Sequence, residues 1–124
     1  MSYDSVLIQI QKGAISPVYM LYGKEDYLKK ELLKALQGKL GLTDNNNLSL
    51  DNIDARETTG ASIVEKAETF PFLSEKRLVI VHGIDANPKL EAGTALASYL
   101  SSPSPFTCLV SLHVKLIKEK SFSV

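Results

Sequence analysis

Apolar residues in this chain fall into short continuous runs separated by stretches where they recur every third or fourth position. Val18-Tyr19-Met20-Leu21-Tyr22, Leu78-Val79-Ile80-Val81 and residues 107–112 are the continuous runs. Each has the length and density of a strand buried on both faces. The spacing elsewhere is helical. Residues 5–11 place Val6, Leu7 and Ile10 on one side and stop at Gly13. A longer helix begins near Glu25, with Leu28, Leu32, Leu33, Leu36 and Leu40 as its apolar stripe. Lys29, Lys30, Lys34 and Lys39 lie mostly away from that stripe, and Gly38 and Gly41 terminate it. Glu25 and Asp26 fall in the first turn, where the helix dipole favours carboxylates.

Residues 44–47 (Asp-Asn-Asn-Asn) read as a turn, and Leu48-Ser49-Leu50 as a short strand. Residues 61–68 predict a helix with Ile63, Val64 and Ala67 inward. Its start is open between Thr59 as N-cap and a capping box of Ser62 with Glu65. Asn87-Pro88 predicts a further helix start, an N-cap followed by proline. That helix carries Leu90, Leu96, Ala97 and Leu100 inward and ends at Ser101-Ser102-Pro103. Strands and helices alternate. The expectation is an α/β fold: a mostly parallel sheet of about four strands, with helices on both faces and right-handed crossovers.

One stretch breaks the pattern. The helix before the second long apolar run gives way to Phe70-Pro71-Phe72-Leu73, followed by the polar hinge Ser74-Glu75-Lys76-Arg77. Pro71 lacks a backbone N–H and disfavours helix at Phe70, so the chain turns here. The two phenylalanines either plug the core or stand outward on a rigid corner. Spacing alone favours the plug, because apolar side chains usually go inside.

Composition narrows the function classes. The 124 residues suit a single domain over residues 1–124, large enough to bury a core without disulfides. Fourteen basic and fourteen acidic residues give zero formal net charge. A domain that grips DNA by neutralising phosphates carries a basic excess, so DNA contact is expected to be weak or indirect. The lone Cys108 lies in an apolar run and reads as a small core residue in a reducing compartment. No run approaches a bilayer span, and the first residues lack a signal's basic region. The expected setting is cytoplasmic, with no membrane contact.

The turn after the first strand is the default phosphate site of such a fold. A phosphate loop needs the spacing GxxxxGK[ST], so that backbone amides wrap the phosphates and lysine reaches the outer ones. Here the turn reads Gly23-Lys24-Glu25-Asp26, with one glycine and two carboxylates that compete for the same amides. Nucleotide binding is not expected there. His82 and His113 each follow a strand and could stand at the sheet's carboxyl edge. With no adjacent nucleophile or metal-spaced cluster, they read as surface or edge histidines. Asp51 and Asp54, with Asn47 and Asn52 nearby, fit a loop as well as a carboxylate site. No catalytic residues, cofactor or metal ligands are assigned.

Three segments together resemble a known family: residues 17–36 (PVYMLYGKEDYLKKELLKAL), 67–81 (AETFPFLSEKRLVIV) and 96–112 (LASYLSSPSPFTCLVSL). In order and spacing they are similar to the amino-terminal domain of the delta subunit of the bacterial DNA polymerase III clamp loader. The middle segment is the most specific. The resemblance implies an ATPase-like (AAA+-type) domain without a working phosphate loop and without catalysis of its own. It implies a role in DNA replication, binding and opening the sliding clamp of the polymerase holoenzyme. It also assigns the clamp-gripping tip to Phe70, Pro71 and Phe72, with Leu73 alongside, which moves the outward reading of the knuckle ahead of the plug. Family members are much longer. Their middle domain and their carboxyl-terminal domain, which joins the other loader subunits, have no counterpart here, and residues 115–124 read as a mixed-charge tail, part helix or disordered. The alternative is a small-ligand or nucleotide-binding enzyme domain of flavodoxin or Rossmann type, using Gly23, Asp51, His82 and His113.

Overall fold

The structure is a computed structural model that describes residues 3–23, 26–42, 49–71, 76–87 and 93–113. The elements run α1 (Tyr3–Gln11), β1 (Val18–Tyr22), α2 (Asp26–Leu40), β2 (Leu50–Asp54), α3 (Gly60–Ala67), β3 (Arg77–His82), α4 (Thr94–Ser101) and β4 (Thr107–His113). Short 3-10 turns, Ala55–Glu57 and Ile84–Ala86, follow β2 and β3. All pairings are parallel, in the order β1-β4-β3-β2. The α/β expectation holds, with helices on both faces.

Alternation along β3 divides the core. Leu78 and Ile80 pack with Val6, Ile10, Leu32, Leu33 and Leu36 under α1 and α2. Val79 and Val81 pack on the other face with Ile63, Ala67, Leu96 and Tyr99 under α3 and α4. β3 and β4 are therefore buried almost throughout, as their continuous apolar runs require. β1 differs from expectation. It is an edge strand in which only Tyr19 and Leu21 are fully buried.

Other boundaries shift for identifiable reasons. β2 lies at residues 50–54, later than expected, because pairing with β3 draws Asp51, Asn52 and Asp54 into an edge strand despite their turn propensity. Gly38 sits inside α2. The chain turns at Gly41, whose positive φ of 72° suits glycine. Thr59 caps α3, its Oγ1 accepting from the Ser62 amide at 3.1 Å. α4 begins at Thr94, and the helix start expected at Asn87-Pro88 falls on residues 88–92, outside those described. The Asn87 side-chain amide donates to the Ala55 carbonyl at 2.9 Å, tying the two 3-10 turns together. On α4 Leu96 is buried and Leu100 packs against the core as expected, while Ala97 is exposed and Tyr99 is buried in addition. The readings placed on Glu25, residues 44–48, Ser74, Glu75, Pro88, Leu90 and the tail lie outside the described residues.

Candidate functional site

Because the strands are parallel, the sheet has an amino edge and a carboxyl edge, and the two carry different chemistry. Phe70 and Pro71 stand at the amino edge, between the end of α3 and the start of β3. Phe70 is 76% exposed, the most exposed of the large hydrophobic side chains described. Pro71 is half-buried. Phe72 and Leu73 lie outside the described residues. The Phe70 ring stacks on Phe106, with centroids 4.7 Å apart and planes at 27°. Phe106 is half-buried and closes the turn that leads into β4.

The backbone beneath this aromatic pair is tied down on both sides. Thr107 Oγ1, fully buried, donates to the Ala67 carbonyl at 2.6 Å. The Arg77 amide donates to the Phe106 carbonyl at 2.8 Å. Lys76 Nζ donates to the Pro105 carbonyl at 2.9 Å. Thr69 Oγ1 folds back onto the Glu65 carbonyl at 2.8 Å, closing the last turn of α3. Two loops distant in sequence thus share one corner, and an apolar ring projects from it. Nothing in the spacing pointed to Phe106. Only the strand order, which sets β3 beside β4, brings it under Phe70.

The residues of the alternative reading do not assemble at the carboxyl edge. Asp51 faces α3 near the amino end, where Arg77 Nη2 donates to its Oδ2 and Lys66 Nζ lies 4.0 Å from Oδ1. His82 lies on the opposite face, its Nε2 3.0 Å from Asn52 Oδ1. Beside it an open cleft of about 350 Å³ is lined by Asn52, Ile53, Asp54, Arg56, His82 and Gly83. There Arg56 hydrogen-bonds Asp54 through side chain and backbone and holds its carboxyl down to about 2. A carboxylate so committed is a poor proton acceptor near neutral pH.

His113 forms a separate cluster and corrects the surface reading, since it is only 1% exposed. Its ring stacks on Tyr22 at 4.3 Å, its Nε2 is 2.8 Å from Ser111 Oγ, and its Nδ1 is 3.7 Å from Asp85 Oδ1. Burial pushes its pKa below the ordinary value, against the opposing pull of Asp85. The His113 carbonyl accepts from the Gly23 amide at 3.2 Å and from Lys29 Nζ at 2.8 Å. Lys29 is therefore buried rather than turned away from the core, with its ammonium on a carbonyl. Among the described residues no group of three or more His, Cys, Asp or Glu side chains could hold a metal ion. No helix among them is long and apolar enough to cross a membrane.

The family model described as DNA polymerase III, delta subunit, matches residues 19–124. The DNA polymerase III subunit delta of Bacillus subtilis (strain 168) is 37% identical over 110 residues, covering 83% of this chain and 32% of that protein. The structure of the Bacillus subtilis DNA clamp loader delta protein superposes with a TM-score of 0.79 at 34% identity, covering 98% of this chain and 39% of that one. A DNA polymerase III gamma subunit-related protein from Thermotoga maritima shares the fold at 16% identity, with a TM-score of 0.62 over all of this chain and 45% of its own. The chain thus spans about a third of the length of the curated relative it matches. On the matched family model and the Bacillus relative together, the chain belongs to the DNA polymerase III delta-subunit family.

Proposed function

We propose that this chain is the clamp-contacting part of a delta-type clamp-loader subunit, and that it grips a sliding clamp through the knuckle Phe70-Pro71-Phe72-Leu73. The observation that carries the reading is the exposure of Phe70 (76%) on a corner whose backbone is fixed from two loops. A large apolar ring held outward on a rigid support fills a partner's pocket at little ordering cost, the usual anatomy of a binding hot spot. A core plug would be buried, and Phe70 is not.

The domain works without catalysis of its own, bound to a ring that encircles DNA in the cytoplasm. Its zero net charge fits indirect contact with the nucleic acid. Contacts with the other loader subunits belong to the part of the relatives that this chain does not match.

The test separates binding from folding. Burying one phenylalanine is worth roughly 1.5–3 kcal/mol. At about 1.4 kcal/mol per factor of ten, Phe70→Ala should weaken binding to a bacterial sliding clamp roughly ten- to a hundredfold. Its denaturant melt should stay close to that of the parent chain. A folded Phe70→Ala chain that binds the clamp at parental strength would sink the proposal, as would failure of the parent chain to bind.

A further inference from the structure

Phe70 rests on an aromatic residue that belongs to neither its own helix nor its own turn. We infer that Phe106 is a positioning residue for the clamp-binding surface: it stacks beneath Phe70 and fixes the direction in which that ring is presented. The inference rests on the proposed clamp contact and names the residue that sets its geometry.

An exposed phenylalanine at a helix end ordinarily samples several rotamers, and a partner that needs one of them must select it. Phe70 has a restraint. The Phe106 ring lies 4.7 Å away at 27°, an offset-stacked arrangement that aromatic pairs prefer. Phe106 is itself anchored. Its carbonyl accepts from the Arg77 amide at 2.8 Å, and the next residue, Thr107, is pinned to the end of α3 through the Ala67 carbonyl at 2.6 Å. Lys76 closes the same turn by donating to Pro105. The platform is therefore tied by its backbone to the start of β3 beside the β3–β4 ladder, while the ring it supports is not. Such an arrangement lowers the entropy lost on binding without burying the ring beforehand.

A double-mutant cycle tests the inference, with the chain, Phe70→Ala, Phe106→Ala and the double variant each titrated against a bacterial sliding clamp. Each titration is run well below the variant's own melting transition. Phe106→Ala should weaken binding roughly three- to tenfold, the range expected from an aromatic pair. In the Phe70→Ala background the same change should make no further difference. Phe106→Leu, which keeps apolar volume but lacks a flat ring, should weaken binding like the alanine variant and serves if that variant does not fold. Phe106→Tyr should bind as the parent chain does. Parental binding by the folded Phe106→Ala or Phe106→Leu chain, with Phe70→Ala still impaired, overturns the inference and leaves the wedge standing. Losses that add in the double variant also overturn it, because Phe106 would then act without Phe70. Parental binding by Phe70→Ala overturns the wedge and the inference together.

Discussion

Lys29 and His113, 84 residues apart in sequence, are joined by a buried hydrogen bond of 2.8 Å from the lysine ammonium to the histidine carbonyl. The bond ties α2 to the end of β4, at the carboxyl edge where related folds bind phosphates. Here the cation is spent on the protein's own backbone. A hydrogen bond to a charged group contributes about 1.5–3 kcal/mol, and Lys29→Met retains most of the apolar stem while removing the donor. Urea unfolding of Lys29→Met should show a loss of about 1–3 kcal/mol. An unchanged midpoint would mean that the bond contributes nothing net.

His113 makes stability fall with acid in a defined window. Its folded pKa lies below the ordinary 6.5, chiefly through burial, with Lys29 adding to the shift and Asp85 opposing it. Below pH 6.5 the unfolded chain therefore binds the proton more readily than the folded one, and stability declines as pH falls. The contribution is fully present above pH 6.5. Asp54 acts lower: its carboxyl, held at about 2 against an ordinary 3.8, loses its contribution only as pH falls below 3.8. Denaturant midpoints between pH 7 and 5 should drop more steeply for the parent chain than for His113→Gln. Equal slopes would show that His113 does not titrate differently on folding.

How much of this was legible beforehand follows from how locally each feature is set. β3 and β4 were readable because a strand buried on both faces must be a continuous apolar run. α2 was readable through Leu32, Leu33 and Leu36, all buried as the stripe required. β2 was not, since an edge strand can carry Asp51, Asn52 and Asp54 once a neighbour pairs with it. Lys29 escaped because helical spacing gives a side chain's direction and not the carbonyl at its tip. At the candidate site Pro71 announced the corner, but the exposure of Phe70 and its stacking on Phe106 depend on strand order, which no local pattern encodes.

Cys108 should be chemically silent in the folded protein. It is 1% exposed, on the face of β4 covered by α1 and α2, and burial pushes its thiol up to about 12. The thiolate is the reactive form, so at pH 8 both access and ionisation are suppressed. A thiol reagent such as an aromatic disulfide should react slowly with the native chain and quickly in denaturant. Rapid stoichiometric labelling of folded protein would contradict the placement of Cys108 in the core.

Asp51 and Arg77 supply the last prediction, and it bears on the rejected small-ligand reading. Arg77 is 8% exposed, and its guanidinium donates to Asp51 on the neighbouring strand, with Lys66 of α3 close to the same carboxylate. If Asp51 were part of a ligand site, replacing it would change binding and leave folding intact. As half of a mostly buried pair it should instead weaken the fold, because breaking such a pair strands a charge. Loss of one partner typically costs about 3–5 kcal/mol for full burial, and less where one partner keeps some solvent contact, as Asp51 does. Asp51→Ala should therefore lower unfolding stability by about 1–3 kcal/mol. The loss should persist in concentrated salt, since buried pairs are weakly screened. Urea titrations at low and high salt decide the matter. A fully stable Asp51→Ala chain would show that the pair is dispensable and reopen the question of what that carboxylate is for.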